Sequence, residues 1–255
     1  MFKINLIMEK INKIATLTLG FWLLKIVATT FGETFGDYLS MTLGIGYLQS
    51  LAITSTFFLA VLSFQLQCKK FNSILFWLVI IGTTTLGTEI SDFLDRSLHL
   101  GYALGSIILF ICLQLTLLFW YLNYKSLKVY PIFEKKKEIY FWIAILFSNC
   151  LGTAFGDFLT DNLQWSYLLA SILTASVILI VIVLHYRTKK NKAVLFWIAF
   201  IFTRPFGATF GDFITKPTTK GGLDLGTLQA SLFCMVLMAI LLFLFERRDK
   251  MKKLD

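Results

Sequence analysis

The stretch FGETFGD, residues 31–37, decides how the rest of the chain is interpreted. It places two carboxylates, Glu33 and Asp37, inside a run of otherwise apolar residues. A charged side chain in such a run is energetically expensive, so it requires a partner or a function. The pattern Gly-x-x-x-(Gly or Ser)-Asp occurs four times, ending at Asp37, Asp92, Asp157 and Asp212. The chain is therefore organised around a repeated acidic motif.

The composition indicates the class of protein. Apolar residues make up 57% of the chain and charged residues only 15%, and the mean hydropathy is +0.74. Soluble domains carry about a quarter charged residues. The sequence therefore predicts an integral membrane protein whose immediate partner is the lipid bilayer.

Apolar segments of membrane-spanning length occur along the whole chain. Each is close to the length of about 20 residues that crosses a bilayer as a helix. The eight segments are 19–39, 45–66, 73–94, 101–122, 139–159, 165–186, 193–214 and 225–245. The predicted fold class is an all-α polytopic membrane protein with eight transmembrane helices.

The spacing of the motif defines an internal repeat. Phe-Trp pairs begin at Phe21, Phe76, Phe141 and Phe196. A glycine follows each Trp after ten residues and an Asp follows that glycine after five, with offsets between units of 55, 65 and 55 residues. This predicts four parallel two-helix hairpin repeats. We interpret 1–122 as a first half, 123–138 as a basic cytoplasmic linker and 139–255 as a second half.

The basic residues predict the orientation in the membrane. One side of the predicted spans receives 19 Lys and Arg residues, among them Lys13 and the basic residues near both termini, and the other side receives three, Arg96, Lys216 and Lys220. Basic residues favour the cytoplasmic side, so we expect cytoplasmic N- and C-termini in a bacterial inner membrane, with the Phe-Trp pairs at that interface. This topology accounts for the net charge of +9, and no nucleic-acid partner is expected.

Polar residues four apart share one face of each odd-numbered helix. These faces carry Lys25, Thr29, Glu33 and Asp37; Thr84, Thr88 and Asp92; Asn149, Thr153 and Asp157; and Arg204, Ala208 and Asp212. Glu89 lies beside the second face, within reach of Asp92. We expect the four acidic helices to surround a central axis, with an Asp ring and with Glu33 and Glu89 a turn deeper.

Small residues accompany the polar faces. They are Gly32, Gly36, Gly87, Gly152, Gly156, Gly207 and Gly211. Gly-x-x-x-Gly pairs let helices pack closely. The polar faces are therefore expected to face one another.

The chemistry of these faces points to cations. Six carboxylates close together cannot all stay ionised without compensating charge. Arg204 and Lys25 offset some of it, which leaves protons or metal ions for Glu33, Asp37, Glu89, Asp92, Asp157 and Asp212. Oxygen ligands without histidine favour hard cations such as Mn2+, with Thr88, Asn149 and Thr153 as neutral ligands and Thr29 and Thr84 in support. Alternatively, the Asp residues are structural and cap helix ends.

No motif of an enzyme or of a prosthetic group is present, so an enzyme is not expected and a metal ion would be cargo rather than cofactor. With its four Phe-Trp…Gly-x-x-x-(Gly/Ser)-Asp repeats, the chain resembles a bacterial family described as uncharacterised membrane-anchored proteins. That resemblance covers nearly the whole chain, and the family description implies no activity.

The sequence therefore favours a transporter or exporter of divalent cations, with Mn2+ first, in which protons leave the carboxylates as the metal binds. One alternative is a cation or proton channel whose Asp ring is the selectivity filter. Another is a non-transporting scaffold or sensor with structural acidic residues. Association of several copies is compatible with each interpretation.

Overall fold

The computed structural model describes residues 12–188 and 192–251, and within these ranges every regular element is helical. The eight α-helices are α1 Leu19–Asp37, α2 Tyr47–Gln67, α3 Ser73–Asp92, α4 Tyr102–Tyr124, α5 Lys135–Asp157, α6 Tyr167–Arg187, α7 Lys192–Thr215 and α8 Thr227–Met251. A π-helical turn extends α1, α3 and α5, at Tyr38–Thr42, Phe93–Ser97 and Phe158–Asn162, and a 3-10 turn at Thr218–Lys220 follows α7. The acidic motif therefore lies at the end of each odd-numbered helix.

Seven of the eight helices, α2 to α8, are long and apolar enough to cross a membrane, which identifies a multi-pass membrane protein. The exception is α1, because it carries Lys25, Glu33 and Asp37 within its 19 residues. These three side chains are at most 3% exposed, so their charges face the protein interior. An eighth crossing by α1 stays a prediction.

The odd-numbered helices form a closed ring. Neighbours in the ring are α1 with α3, α3 with α5, α5 with α7, and α7 with α1. Their predicted polar faces are buried at the contacts between them, which places the polar residues inside the ring. The even-numbered helices lie outside and expose most of their apolar side chains.

The outer helices pack differently from the predicted hairpins. Each packs against the inner helix of the next repeat: α2 on α3, α4 on α5, α6 on α7, and α8 on α1. The two helices of one repeat, such as α1 and α2, share no comparable contact. The hairpin prediction is therefore wrong as a description of packing, because the turn after each Asp carries the chain sideways around the ring.

Glycines set the distance between inner helices. The four glycines five residues before each Asp pack against the next repeat, as Gly32 on Thr84, Gly87 on Asn149, Gly152 on Arg204 and Gly207 on Thr29. A Cβ on any of them would lie within 2.9 Å of a side-chain atom of its partner. The prediction that small residues allow close approach is confirmed, and it fixes the register of each repeat against the next.

The Phe-Trp pairs lie inside the bundle rather than at a lipid interface, which corrects the sequence-based placement. Phe76 and Trp142 are at most 1% exposed. Ring centroids are 5.6 Å apart for Phe21 and Trp77, 5.4 Å for Phe76 and Trp142, and 5.7 Å for Phe196 and Trp22. At these three junctions the Phe of one repeat contacts the Trp of the next, and these aromatic contacts tie the inner helices together at the end opposite the Asp residues.

A segment before α1 covers the same end of the ring. Lys13 forms a buried ion pair with Glu138 near the start of α5, and Gln65 of α2 donates to Glu138 at 3.0 Å. Lys13 is thus a paired interior charge, whereas the predicted orientation placed it among the basic residues of the cytoplasmic side. Because α4 reaches Tyr124 and α5 begins at Lys135, the connecting segment is shorter than the predicted linker.

The glycine contacts generate a test of the ring. In Gly32→Ala the new Cβ would lie 2.5 Å from Thr84 Cβ and 2.8 Å from its backbone carbon, so α1 and α3 must separate. We expect a loss of about 1–3 kcal/mol in unfolding free energy, measured by thermal unfolding in detergent. Gly156→Ala is the control, because its Cβ would meet Ala208 Cβ at 3.1 Å and should be tolerated. Equal stability of both variants would contradict this packing.

Candidate functional site

The centre of the ring contains a buried ion pair between α1 and α7. Arg204 is fully buried, and its Nη2 donates to Glu33 Oε2 at 2.9 Å and to the hydroxyl of Thr88. Its Nη1 donates to the carbonyl of Thr29 at 3.2 Å. Side chains from three predicted polar faces therefore meet at one guanidinium, which confirms that these faces point at each other.

A second contact crosses the ring further from the Asp residues. Lys25 Nζ lies 3.1 Å from Asn149 Oδ1, joining α1 to α5, which are not neighbours in the ring. The same ammonium lies 4.2 Å from the centroid of the Phe200 ring. Asn149 Nδ2 in turn donates to Thr83 at 3.0 Å. Hydrogen-bonded side chains thus span the interior of the ring at this level.

The four Asp residues form two pairs, each held by a basic residue. Lys216 Nζ lies 2.6 Å from Asp37 Oδ2 and 3.2 Å from Asp212 Oδ1. Arg96 lies 3.4 Å from both Asp92 and Asp157. Lys216 and Arg96 are equivalent positions, each four residues after an Asp and 120 residues apart. The predicted Asp ring is therefore two ion-paired sites related by the repeat.

Sequence reasoning missed the role of these two cations. It assigned Arg96 and Lys216 to the loops of the less basic side, where they served only to set orientation. The available signal was their spacing from Asp92 and Asp212, because residues four apart in a helix are neighbours. With both cations in place, fewer carboxylates need a proton or a metal ion than the sequence suggested.

One of the two sites has a third carboxylate. Glu33, Asp37 and Asp212 each offer an oxygen, and these oxygens lie within 4.8 Å of one another. We call these three residues the acidic cluster. Asp212 Oδ1 is buried without a hydrogen bond, since its contact with Lys216 Nζ lacks suitable geometry. At the second site the position equivalent to Glu33 is Thr153, so only Asp92 and Asp157 are acidic there.

Glu89 lies outside the acidic cluster, which corrects its predicted place on the axis. Its Oε2 accepts a hydrogen bond from Ser50 on α2, and its Oε1 has no partner within the ranges that the structure covers. The equivalent residue of the first repeat, Thr34, contacts Ser231 of α8 at 2.9 Å. Glu89 thus belongs to the contact between an inner and an outer helix.

The remaining predicted residues are buried but play packing roles. Thr84 donates to the carbonyl of Ala28 across the α1–α3 contact at 3.1 Å. Thr153 bonds only to the carbonyl of Asn149 in its own helix, at 3.4 Å. Both residues lie inside the ring as predicted, and neither contacts the acidic cluster through a hydrogen bond.

Lys216 has an unusual electrostatic environment at the mouth of the site. Its side chain is 23% exposed. Burial lowers the pKa of Lys216, but the neighbouring carboxylates of Asp212 and Asp37 together raise it further, so the net pKa is above its ordinary value. Lys216 therefore stays protonated at neutral pH and acts as a tethered cation between two carboxylates.

Comparison with known proteins agrees with the fourfold organisation. The sequence matches the DUF347 family, a repeat of unknown function, in four copies at residues 13–71, 75–126, 140–191 and 195–250. No curated protein and no solved structure matches the chain. Each copy spans one inner helix and the outer helix that follows it in sequence. Since the four copies cover most of its length, the chain belongs to the DUF347 repeat family.

Proposed function

We propose that this protein transports a divalent cation across the membrane, with Mn2+ as the first candidate. The observation that carries the proposal is the acidic cluster, in which three buried carboxylates converge within 4.8 Å. Carboxylate oxygens are the ligands that hard divalent cations prefer. In a membrane protein, buried acidic side chains commonly mark ion pathways.

Lys216 supplies a means of exchange. Its Nζ already occupies a cation position between Asp37 and Asp212. An arriving cation would displace it toward the mouth, where the side chain is partly exposed, and its return would promote release. In this scheme the Lys216 ammonium and the transported cation occupy the same position in turn, so the carboxylates always have a counter-charge.

The proposed topology completes this scheme. We propose that α1 is an eighth crossing, shielded from lipid by its neighbours in the ring, and that both termini are cytoplasmic in a bacterial inner membrane. The acidic cluster then lies toward the non-cytoplasmic side. A carboxylate that exchanges a proton for the cation would couple transport to proton movement.

Transport by a carrier fits the interior better than a channel does. A channel requires a continuous path along the axis, whereas the bonds of Lys25 with Asn149 and of Arg204 with Thr88 cross the ring. A non-transporting scaffold would use the same ion pairs only for stability. That alternative predicts no flux from the wild-type protein.

The position of Glu89 provides a matched control for the role of Glu33. Glu33→Gln removes a carboxylate from the acidic cluster with little change of shape, and we expect Mn2+ to bind at least about tenfold more weakly, because a charged ligand is lost. Glu89→Gln makes the same chemical change outside the cluster and should retain binding. Both are measured by calorimetry and by Mn2+ flux into proteoliposomes. Equal loss, or no loss, in the two variants would refute the assignment.

Removal of the tethered cation should have the opposite effect. In Lys216→Met the competing ammonium is absent, and we expect Mn2+ to bind about tenfold more tightly, corresponding to one favourable charge interaction. Because the pKa of Lys216 is raised, its side chain stays protonated and competes with Mn2+ until the pH passes that raised pKa. The difference in Mn2+ affinity between Lys216→Met and wild type should therefore persist across neutral pH. Arg96→Met should leave Mn2+ affinity unchanged, because its site lacks a third carboxylate. Weaker binding by Lys216→Met would rule out competition.

A further inference from the structure

An apolar groove lies on the outside of the ring, between α2 and α8 and over α1 and α3. Its volume is about 530 Å3, and its walls include Phe31, Phe35, Ile53, Phe57, Leu78 and Met235. The surrounding helices α2, α3 and α8 are of membrane-spanning length and composition. The groove therefore opens toward the hydrocarbon of the bilayer, away from the acidic cluster.

A second cavity, a cleft with both polar and apolar lining, adjoins the groove at the end of the bundle that carries the Phe-Trp pairs. Trp77 and Leu242 line both cavities, so the two lie on either side of these residues. The cleft has a volume of about 830 Å3, and its polar lining includes Asn12, Thr16, Thr18 and Ser73. An apolar groove beside a cleft that carries polar and charged groups is suited to an amphipathic molecule.

The charges of the cleft are of both signs. Glu246 and Arg248 of α8 line it, and neither makes an ion pair within 12–188 and 192–251. The apolar span of α8 ends at Arg248, which puts both charges at the depth of lipid headgroups. A carboxylate and a guanidinium in one cleft complement a ligand that carries an ammonium and a phosphate.

We propose that the groove and cleft together bind one phospholipid with a zwitterionic headgroup of the phosphatidylethanolamine class. Arg248 would bind the phosphate and Glu246 the ammonium, and an acyl chain would fill the apolar groove. An anionic headgroup such as phosphatidylglycerol would satisfy Arg248 but would leave Glu246 facing a negative charge. This site is independent of the proposed transport function.

Native mass spectrometry of the full chain in detergent tests the headgroup. With equal amounts of phosphatidylethanolamine and phosphatidylglycerol, we expect one retained phosphatidylethanolamine, favoured about tenfold, because a charge-assisted hydrogen bond is gained. Glu246→Gln should abolish that preference, and Arg248→Gln should reduce retention of both lipids. Arg247→Gln, at the exposed neighbouring position, is the control and should resemble wild type. Equal retention of the two lipids by wild type would overturn the assignment.

A second pair of variants tests the groove. Ala239 lines it, so Ala239→Phe should reduce phosphatidylethanolamine retention about tenfold by occupying the space of the acyl chain. Val236→Phe places the same ring on the same helix outside the groove and should retain the lipid. Both positions are exposed on α8, and size-exclusion chromatography checks that the variants stay folded. Retention of free phosphoethanolamine, or equal lipid retention by both variants, would overturn a role for the groove.

Discussion

The ion pair between Arg204 and Glu33 is the constraint on which the architecture depends. Both side chains are almost completely buried, Arg204 within a helix of membrane-spanning length and composition, and an unpaired charge in such an interior is very costly. Arg204 also binds groups from α1 and α3, so its charge is satisfied only when three inner helices are in register. Close packing at Gly32 and Gly152 makes this possible, because each glycine leaves room for a polar side chain of the next repeat. The ring and its polar interior are thus mutually dependent.

The two Asp sites show how a repeated sequence can acquire different roles. Arg96 and Lys216 occupy equivalent positions and hold equivalent Asp pairs. An arginine stays charged and binds with a rigid fork, whereas a lysine is a flexible point charge that is more readily displaced. Glu33 adds a third carboxylate beside Lys216, while Thr153 occupies its place beside Arg96. The chemical difference between the two sites therefore lies in two residues, and the site with Lys216 and Glu33 is the one that we propose to exchange its cation.

The polar faces of the inner helices could be predicted largely from residue spacing, because residues four apart lie on the same face of a helix. Buried polar residues such as Glu33, Asp37 and Arg204 follow this spacing. The close glycine contacts followed from the same reasoning. The pairing between repeats could not be predicted, since Arg96 reaches Asp157 and Lys216 reaches Asp37 only after the chain has been placed around the ring. The position of Glu89 was predicted wrongly for a similar reason. Successive residues point about 100° apart around a helix, so Glu89, one position beside the polar face, points toward α2. Aromatic pairs that suited a lipid interface proved to be interior contacts between repeats.

The offset packing of inner and outer helices has a consequence for biogenesis. Among the α-helices that the structure describes, α1 precedes the others in sequence and is the one without membrane-spanning composition. Its Glu33 is separated by 171 residues from Arg204, the residue that neutralises it, and its outer cover, α8, is the final helix in the chain. The pairing of Glu33 with Arg204 can therefore form only after the fourth repeat has been translated. The last repeat thus completes the assembly of the first.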